Sequence, residues 1–302
     1  MLPQKYNISF IINPIAGKRK AKNVSEDILS NIDNKRFNPS VHITEYQGHA
    51  VCLARKLKEE NIDIIVAVGG DGTVNEIAGE IVNTNIILGL ISLGGGNGLS
   101  NFLKIPHNIQ KCIEIINEFN TKLIDTGLLN DNLFVSVAGV GFDAAVIRTY
   151  SKYKSRGIEA YMKAIVSQYI NYKPQKYKVI INNKIIEKQA LLISIANSNQ
   201  FGYHATISPR AVIDDGKLNL NIVTKVPLLM APLTVPLLFT DKIDYSKYYE
   251  TYEIEEATII TKNPTLAQID GEPVELKDNV VKVKVNKKSL RVIVPCNKKT
   301  QN

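Results

Sequence analysis

Gly69-Gly70-Asp71-Gly72-Thr73 carries the densest chemical signal in the chain. The residues before it, Ile62 to Val68, are mostly small or β-branched, and an amphipathic pattern begins at Thr73. This spacing predicts a buried strand, a tight turn and a helix N-terminus. Glycines permit φ > 0 and let the backbone approach a ligand closely. The free N–H groups of a helix start attract an anion such as phosphate. A carboxylate has no place in a bare phosphate cradle, but Asp71 would suit a site where a nucleotide arrives with a metal ion.

Two further glycine turns have related character: Asn13-Pro14-Ile15-Ala16-Gly17 and Gly94-Gly95-Gly96-Asn97-Gly98. Any one of them could be an ordinary bend, since glycine marks turns everywhere. Three at equivalent strand ends make coincidence less comfortable. Much later comes Gln268-Ile269-Asp270-Gly271-Glu272-Pro273. If this segment is extended, Asp270 and Glu272 point to one face. Paired carboxylates raise one pKa, which suits a general base near neutral pH. The competing reading is a solvated Asp-Gly turn. Asp214-Asp215-Gly216, within Ala211 to Leu218, could present carboxylates and carbonyls to Mg²⁺ or Ca²⁺, or be a β-turn at a strand start. The GxxxxGK[ST] phosphate loop is absent, and no GxGxxG follows the first strand.

Elements must position these residues. The first third alternates strands (Tyr6–Ile12, Val41–Tyr46, Ile62–Val68, Ile86–Ser92) with helices (Ala21–Ile32, His49–Glu59, Thr73–Ile81). That order predicts a parallel sheet covered on both faces, with ligands at the carboxyl ends of its strands. All three glycine turns fall at that end. From about Asp125 the texture changes. A strand at Leu133–Val140 and a helix at Arg156–Tyr172 precede short alternating runs at 177–181, 191–196, 218–223, 257–261, 280–285 and 290–294. These predict an antiparallel β-sandwich or barrel. The expected organisation is an α/β domain over 1–124 and a β-sandwich domain over 125–302.

The chain has 302 residues, 44% hydrophobic content and a net charge of +8. It can bury a real core. Cys52, Cys112 and Cys296 are too dispersed for a disulfide framework or a zinc site, and a reducing cytosol fits them. Met1 to Phe10 lacks a signal-peptide plan. No apolar run reaches the roughly 18–20 residues of a membrane span. The longest, Val226 to Phe239, is short and interrupted by Pro227, Pro232 and Pro236. A soluble or peripheral protein is therefore expected. Its positive charge suits polyphosphate or an anionic membrane as well as a merely lysine-rich surface. No RNA-binding motif or aromatic–basic interleaving makes nucleic acid an expected partner.

Taken together, these motifs resemble the diacylglycerol kinase catalytic family, which includes bacterial lipid kinases, sphingosine kinases and ceramide kinase. The family's Gly-Gly-Asp-Gly-Thr is at 69–73, extended by Asn75-Glu76, and its Asn-Pro-x-x-Gly is at 13–17. Its later Pro-x-Gly-Thr/Ser-x-Asn turn corresponds to Ser92-Leu93-Gly94-Gly95-Gly96-Asn97. Gly139-Val140-Gly141-Phe142-Asp143, Asn197-Ser198, Pro209-x-Ala211, Asp214-Asp215-Gly216 and Asp270-Gly271-Glu272 extend the similarity over nearly the whole chain.

The resemblance implies a nucleotide-binding α/β domain and a C-terminal β-sandwich, with the active site between them. It implies ATP and Mg²⁺ as donor and cofactor, and a lipid hydroxyl presented at a membrane surface as acceptor. By carry-over, Asn13, Pro14, Ile15, Ala16, Gly17, Thr44, Gly69, Gly70, Asp71, Gly72, Thr73, Asn75, Glu76, Gly94, Gly95 and Asn97 line the nucleotide. Asp71 organises Mg²⁺ through water, and Asp270 and Glu272 activate the acceptor hydroxyl, Glu272 being the base. A separate structural Mg²⁺ uses the Asp215 carboxylate and the Val212 and Lys217 carbonyls. Ser92 replaces the usual proline, and Gly95 removes a phosphate-facing hydroxyl, which implies altered nucleotide affinity rather than its loss.

An NAD kinase shares the Gly-Gly-Asp-Gly turn and the two-domain plan. The Asn97-Gly98 turn and the Asp-Gly-Glu element favour the lipid branch over it. A non-catalytic nucleotide or lipid sensor is the alternative from another class, and the full set of carboxylates argues against it. A cytoplasmic protein peripheral at the membrane is expected, and a homodimer is an ordinary prior.

Overall fold

The computed structural model describes residues 5–17, 19–153, 157–203, 205–262 and 266–296. The expected helix start at Arg156 and the polar tail 297–302 lie outside them. The chain divides into two compact units. One takes the residues up to Ile124 together with the stretch from Lys288, and the other is Asp125–Lys287.

In the first unit the elements run β1 (Tyr6–Ile12), α1 (Ala21–Asn31), β2 (Phe37–Ile43), α2 (His49–Glu59), β3 (Ile64–Gly69), α3 (Asp71–Ile81), β4 (Ile87–Ser92), α4 (Gly98–Phe102) and α5 (Ile109–Glu118). The strands lie in the order β2-β1-β3-β4, all parallel. The order reverses between β1 and β3, and at that switch a ligand finds a crevice outside the carboxyl ends. β3 is buried along its whole length, as its apolar sequence requires of a central parallel strand. β2 starts at Phe37, four residues before the expected Val41, and stops at Ile43. Pro39 obscured it in the sequence, yet proline is tolerated here because β2 is an edge strand.

β5 (Thr121–Leu129) opens the way into the second unit. It is followed by β6 (Asn132–Phe134), β7 (Val137–Gly141), α6 (Phe142–Ser151), α7 (Ile158–Asn171), β8 (Gln175–Ile181), β9 (Lys184–Ala190), β10 (Leu192–Ala196) and β11 (Leu218–Val223). Short helical turns occupy 228–245, and the chain ends with β12 (Tyr249–Ile254), β13 (Glu256–Ile260), β14 (Leu266–Ile269), β15 (Glu272–Glu275) and β16 (Val280–Ile293). One sheet has the antiparallel order β12-β11-β10-β7-β14-β15. The other contains β16-β13-β8-β9, also antiparallel. Alternate residues such as Val140, Ile193, Leu220, Val179, Ile259 and Val283 share one buried cluster, the core of the β-sandwich. The outer face of the first sheet packs under α6 and α7 around Phe142, Val146, Ala164 and Leu192.

Three strand expectations need correction. The single strand at 133–140 is two, β6 and β7, interrupted where the Val135 and Ser136 amides turn to a side chain instead of a ladder. The runs 280–285 and 290–294 are one strand, β16, with Lys288 at positive φ inside it. Its far end pairs in parallel with β4, Arg291 opposite Ile87 and Val292 opposite Leu88. That pairing draws the stretch from Lys288 into the first unit, although it was expected in the second. Among the described residues no helix is long and apolar enough to cross a membrane.

Candidate active site

In the first unit the three glycine turns converge. The Asn13 amide donates to the Val68 carbonyl at 2.9 Å, and the Leu93 amide donates to the Gly69 carbonyl at 2.8 Å. Asn13 Oδ1 accepts the Ile15 amide at 3.0 Å and its Nδ2 donates to Thr73 Oγ1 at 3.2 Å. A Cβ on Gly17 would lie 3.2 Å from the Leu93 carbonyl oxygen. Asp71, in the first turn of α3, is the link across. Its Oδ2 accepts the Asn97 amide at 2.7 Å and its Oδ1 accepts the Gly98 amide at 2.9 Å. Asn97 takes positive φ and donates from Nδ2 to the Gly94 carbonyl at 2.6 Å.

Close approach explains two of the glycines. A Cβ on Gly69 would come within 2.5 Å of Thr73 Oγ1. A Cβ on Gly94 would lie 2.7 Å from Gly70 Cα and 2.8 Å from Asn97 Oδ1. Gly94→Ala is therefore expected to cost about 1–3 kcal/mol, the usual scale of overpacking. It should appear as a lower melting temperature together with weakened nucleotide binding. Ser92, where proline is usual, bonds through its hydroxyl to Ser100 Oγ and ties the end of β4 to α4.

The other proposed nucleotide contacts divide. Pro14, Ile15 and Ala16 form the tip of the first turn, with Pro14 and Ile15 exposed. Gly72 and Asn75 lie on α3 beside Asp71, and Gly95 is the exposed crest of the third turn. Thr44 follows β2 and its amide donates to the Ile12 carbonyl at 2.9 Å, next to Asn13. Glu76 reaches the start of α2. Its Oε1 accepts the Gly48 amide at 3.2 Å, capping that helix, and burial raises its pKa.

In the second unit Asp270 and Glu272 are not the same-face pair that an extended segment would give. Asp270 and Gly271 both take positive φ and form the two-residue turn of the β14–β15 hairpin, with Ile269 opposite Glu272. Asp270 is buried, and its carboxylate accepts the amides of Val135 at 2.8 Å, Ser136 at 2.8 Å and Val137 at 3.0 Å. Glu272 is exposed.

Asp215 is exposed at its turn, where its Oδ1 accepts the Lys217 amide at 3.0 Å. Among the described residues no group of three or more His, Cys, Asp or Glu side chains could hold a metal. One carboxylate with the Val212 and Lys217 carbonyls is nonetheless an all-oxygen set that fits Mg²⁺, which keeps waters for its remaining positions.

Two buried carboxylates have roles that the sequence motifs did not assign. Asp125, in β5, fixes the 213–216 turn: its Oδ2 accepts the Gly216 amide at 2.6 Å, and its own amide donates to the Ile213 carbonyl at 2.8 Å. A charged residue inside the apolar run of β5 was the available signal. Asp143, in the first turn of α6, sits over Gly139, where a Cβ would fall 2.1 Å from Asp143 Oδ2. The Ala144 amide donates to Asp143 Oδ1 at 2.9 Å, and Gln268 Nε2 lies 3.4 Å from Oδ2. Burial pushes the Asp143 carboxyl up to about 7.

Unfolded, Asp143 ionises near 3.8, while folded it keeps its proton up to about 7. The folded state holds the extra proton between these values, so this group's contribution to stability falls as pH rises through that window and then levels off. Asp143→Asn should remove at most about 4 kcal/mol of that loss. The melting-temperature difference between variant and parent should grow in the variant's favour from pH 4 to pH 7, and a constant difference would refute this.

Residues 7–129 match the model of the diacylglycerol kinase catalytic domain, and residues 136–294 match that of the YegS C-terminal NAD kinase beta sandwich-like domain. The chain is 29% identical over 268 residues to a diacylglycerol kinase of Staphylococcus saprophyticus, covering 87% of each. It is 30% identical over 222 residues to one of Staphylococcus haemolyticus, covering 72% of this chain and 67% of that protein. A solved diacylglycerol kinase structure from Bacillus anthracis superposes with a TM-score of 0.71 at 18% identity, over 96% of this chain and 97% of the other. An NAD kinase from Archaeoglobus fulgidus in complex with ATP gives 0.54 at 12% identity, over 96% and 94%, a likeness of fold alone.

Proposed function

Since the chain belongs to the diacylglycerol kinase catalytic family and is thereby a lipid kinase, we propose that it transfers the γ-phosphoryl group of ATP to the hydroxyl of a diacylglycerol-like lipid, with Mg²⁺. The observation that carries the reading is the convergence of the three glycine turns, with Asp71 bonded across to the third. Phosphoryl transfer asks a protein mainly for positioning and charge neutralisation. Backbone N–H groups of the turns and the N-terminus of α3 supply donors and a positive dipole end for phosphate. Asp71 holds the third turn against the second. A carboxylate can accept about four contacts, so the same group can also face a hydrated cation. Bound Mg²⁺ would neutralise phosphate charge. A second, structural ion would be held by Asp215 with the Val212 and Lys217 carbonyls.

Glu272 takes the proton of the acceptor hydroxyl, while Asp270, held by three amides, keeps the hairpin that presents it. Glu272→Gln should then lower kcat by at least about 10²-fold. Its melting temperature should change little, because the side chain is exposed. Unchanged kcat would remove Glu272 from the reaction.

Screening a lipid extract for acceptors, with mass spectrometry of newly formed phospholipids, tests the substrate class. A new phosphorylated glycerolipid is the expected product. Phosphorylation of a sphingoid base instead would move the acceptor assignment, and no new phospholipid of any kind would refute the lipid reading.

A further inference from the structure

Gly94, Gly95 and Gly96 carry no side chains with which to hold their own turn. Glycine also loses more conformational freedom on folding than any other residue, so such a turn has to be held from outside. Two asparagines take its carbonyls. Asn97 Nδ2 donates to the Gly94 carbonyl at 2.6 Å, and Asn101 Nδ2 donates to the Gly96 carbonyl at 2.9 Å. The next two amides, of Asn97 and Gly98, go to Asp71. The Gly95 and Gly96 amides are left with no protein acceptor among the described residues. Successive N–H groups of a turn make an anion-binding concavity, whereas a carbonyl swung toward a phosphate would repel it.

Both asparagines are themselves held. The Asn101 amide, in α4, donates to the Asn97 carbonyl at 2.9 Å. Asn97 is buried and its Oδ1 has no partner, so its side chain is fixed through Nδ2 alone. Besides the Gly94 carbonyl, Nδ2 meets His107 Nδ1 at 3.3 Å. A carbonyl only accepts and an amide NH₂ only donates, so Nδ1 of His107 is the acceptor in this pair. His107 stands on a secured segment between α4 and α5. The Ile105 amide donates to the Ser100 carbonyl at 2.8 Å, and Cys112 Sγ donates to the Pro106 carbonyl at 2.9 Å. Asn108 caps α5 by accepting the Lys111 amide at 3.0 Å.

We propose that Asn101 and His107 are positioning residues of the nucleotide site. Asn101 acts directly and His107 acts through Asn97. Together they hold the Gly94 and Gly96 carbonyls back, so that the Gly95 and Gly96 amides meet the phosphates of ATP. The inference rests on the ATP-dependent reading of this site, and it adds two side chains that shape the phosphate turn from behind.

The test is calorimetric titration of the full chain with the β,γ-imido analogue of ATP and Mg²⁺, without lipid. His107→Ala and Asn101→Leu should each weaken binding about three- to tenfold, the scale of one lost hydrogen bond. His107→Asn, which offers an oxygen near the place of Nδ1, should recover most of that loss. In turnover, the KM for ATP should rise by the same factor while kcat stays within about twofold, because the turn holds phosphate alike before and during transfer. Parental affinity in folded His107→Ala or Asn101→Leu would overturn the role of that residue, and a lower melting temperature with parental affinity would make it merely structural. Equal weakness of His107→Asn and His107→Ala would overturn it too, since the loss would then follow the ring and not the acceptor. The His107 pair decides the matter even if Asn101→Leu fails to fold: His107 is exposed, so its variants should melt close to the parent. Because no lipid is present, flat variants would leave the lipid-kinase reading untouched. Normal analogue binding without any lipid phosphorylation would instead sink the lipid reading alone.

Discussion

Asp71→Asn should lower turnover by about 10²-fold or more, the scale of losing a positioned charged group, and should weaken nucleotide binding as well. The carboxylate does two things that an amide cannot. It accepts the Asn97 and Gly98 amides with its two oxygens, whereas asparagine offers one oxygen and turns an NH₂ toward the other amide. An amide left without its acceptor costs about 1–3 kcal/mol where it is buried, and Asn97 and Gly98 both are. The third glycine turn would therefore lose its anchor to α3. The substitution also removes the negative charge that a hydrated Mg²⁺ would meet. Nucleotide affinity and kcat should fall together. A variant with parental kcat and affinity would show that the bond from Asp71 to the third turn is dispensable.

Asp270→Ala should be the most destabilising single change in the second unit. Three amides, of Val135, Ser136 and Val137, converge on one buried carboxylate at the break between β6 and β7. Alanine would leave all three without that acceptor, at about 1–3 kcal/mol each, for a loss of about 3–9 kcal/mol. A domain's whole stability is of order 5–15 kcal/mol, so much of the chain should be unfolded at moderate denaturant. Asp270→Asn keeps one acceptor and should fall between. Chemical denaturation of the two variants measures this, and equal midpoints for alanine and parent would contradict the structural role.

These two aspartates show what the sequence could and could not disclose. The glycine turns and Asp71 were legible because strand, turn and helix start are neighbours in sequence, so local pattern suffices. Their parallel sheet followed from the alternation of elements. Asp270 was noticed but misjudged. An extended reading placed it beside Glu272, whereas both φ angles in Asp270-Gly271 are positive and split the two across a hairpin turn. Its bonds go to residues more than 130 positions away, which no local pattern reports. β9 and β12 went unread because their outer positions carry Lys and Glu that blur the alternation. β16 was cut in two by Asn286-Lys287-Lys288-Ser289, a polar stretch that the strand carries through. Asp143 was visible within a motif, but its burial comes from the packing of its own helix, α6, over Gly139 of β7.

The most direct test follows γ-labelled ATP into products when diacylglycerol in mixed micelles and NAD are offered in parallel. Label should enter the lipid phase as a phosphorylated glycerolipid, require Mg²⁺, and fall by about 10²-fold or more in Asp71→Asn. Label appearing only in NADP, or in no acceptor, would contradict the account.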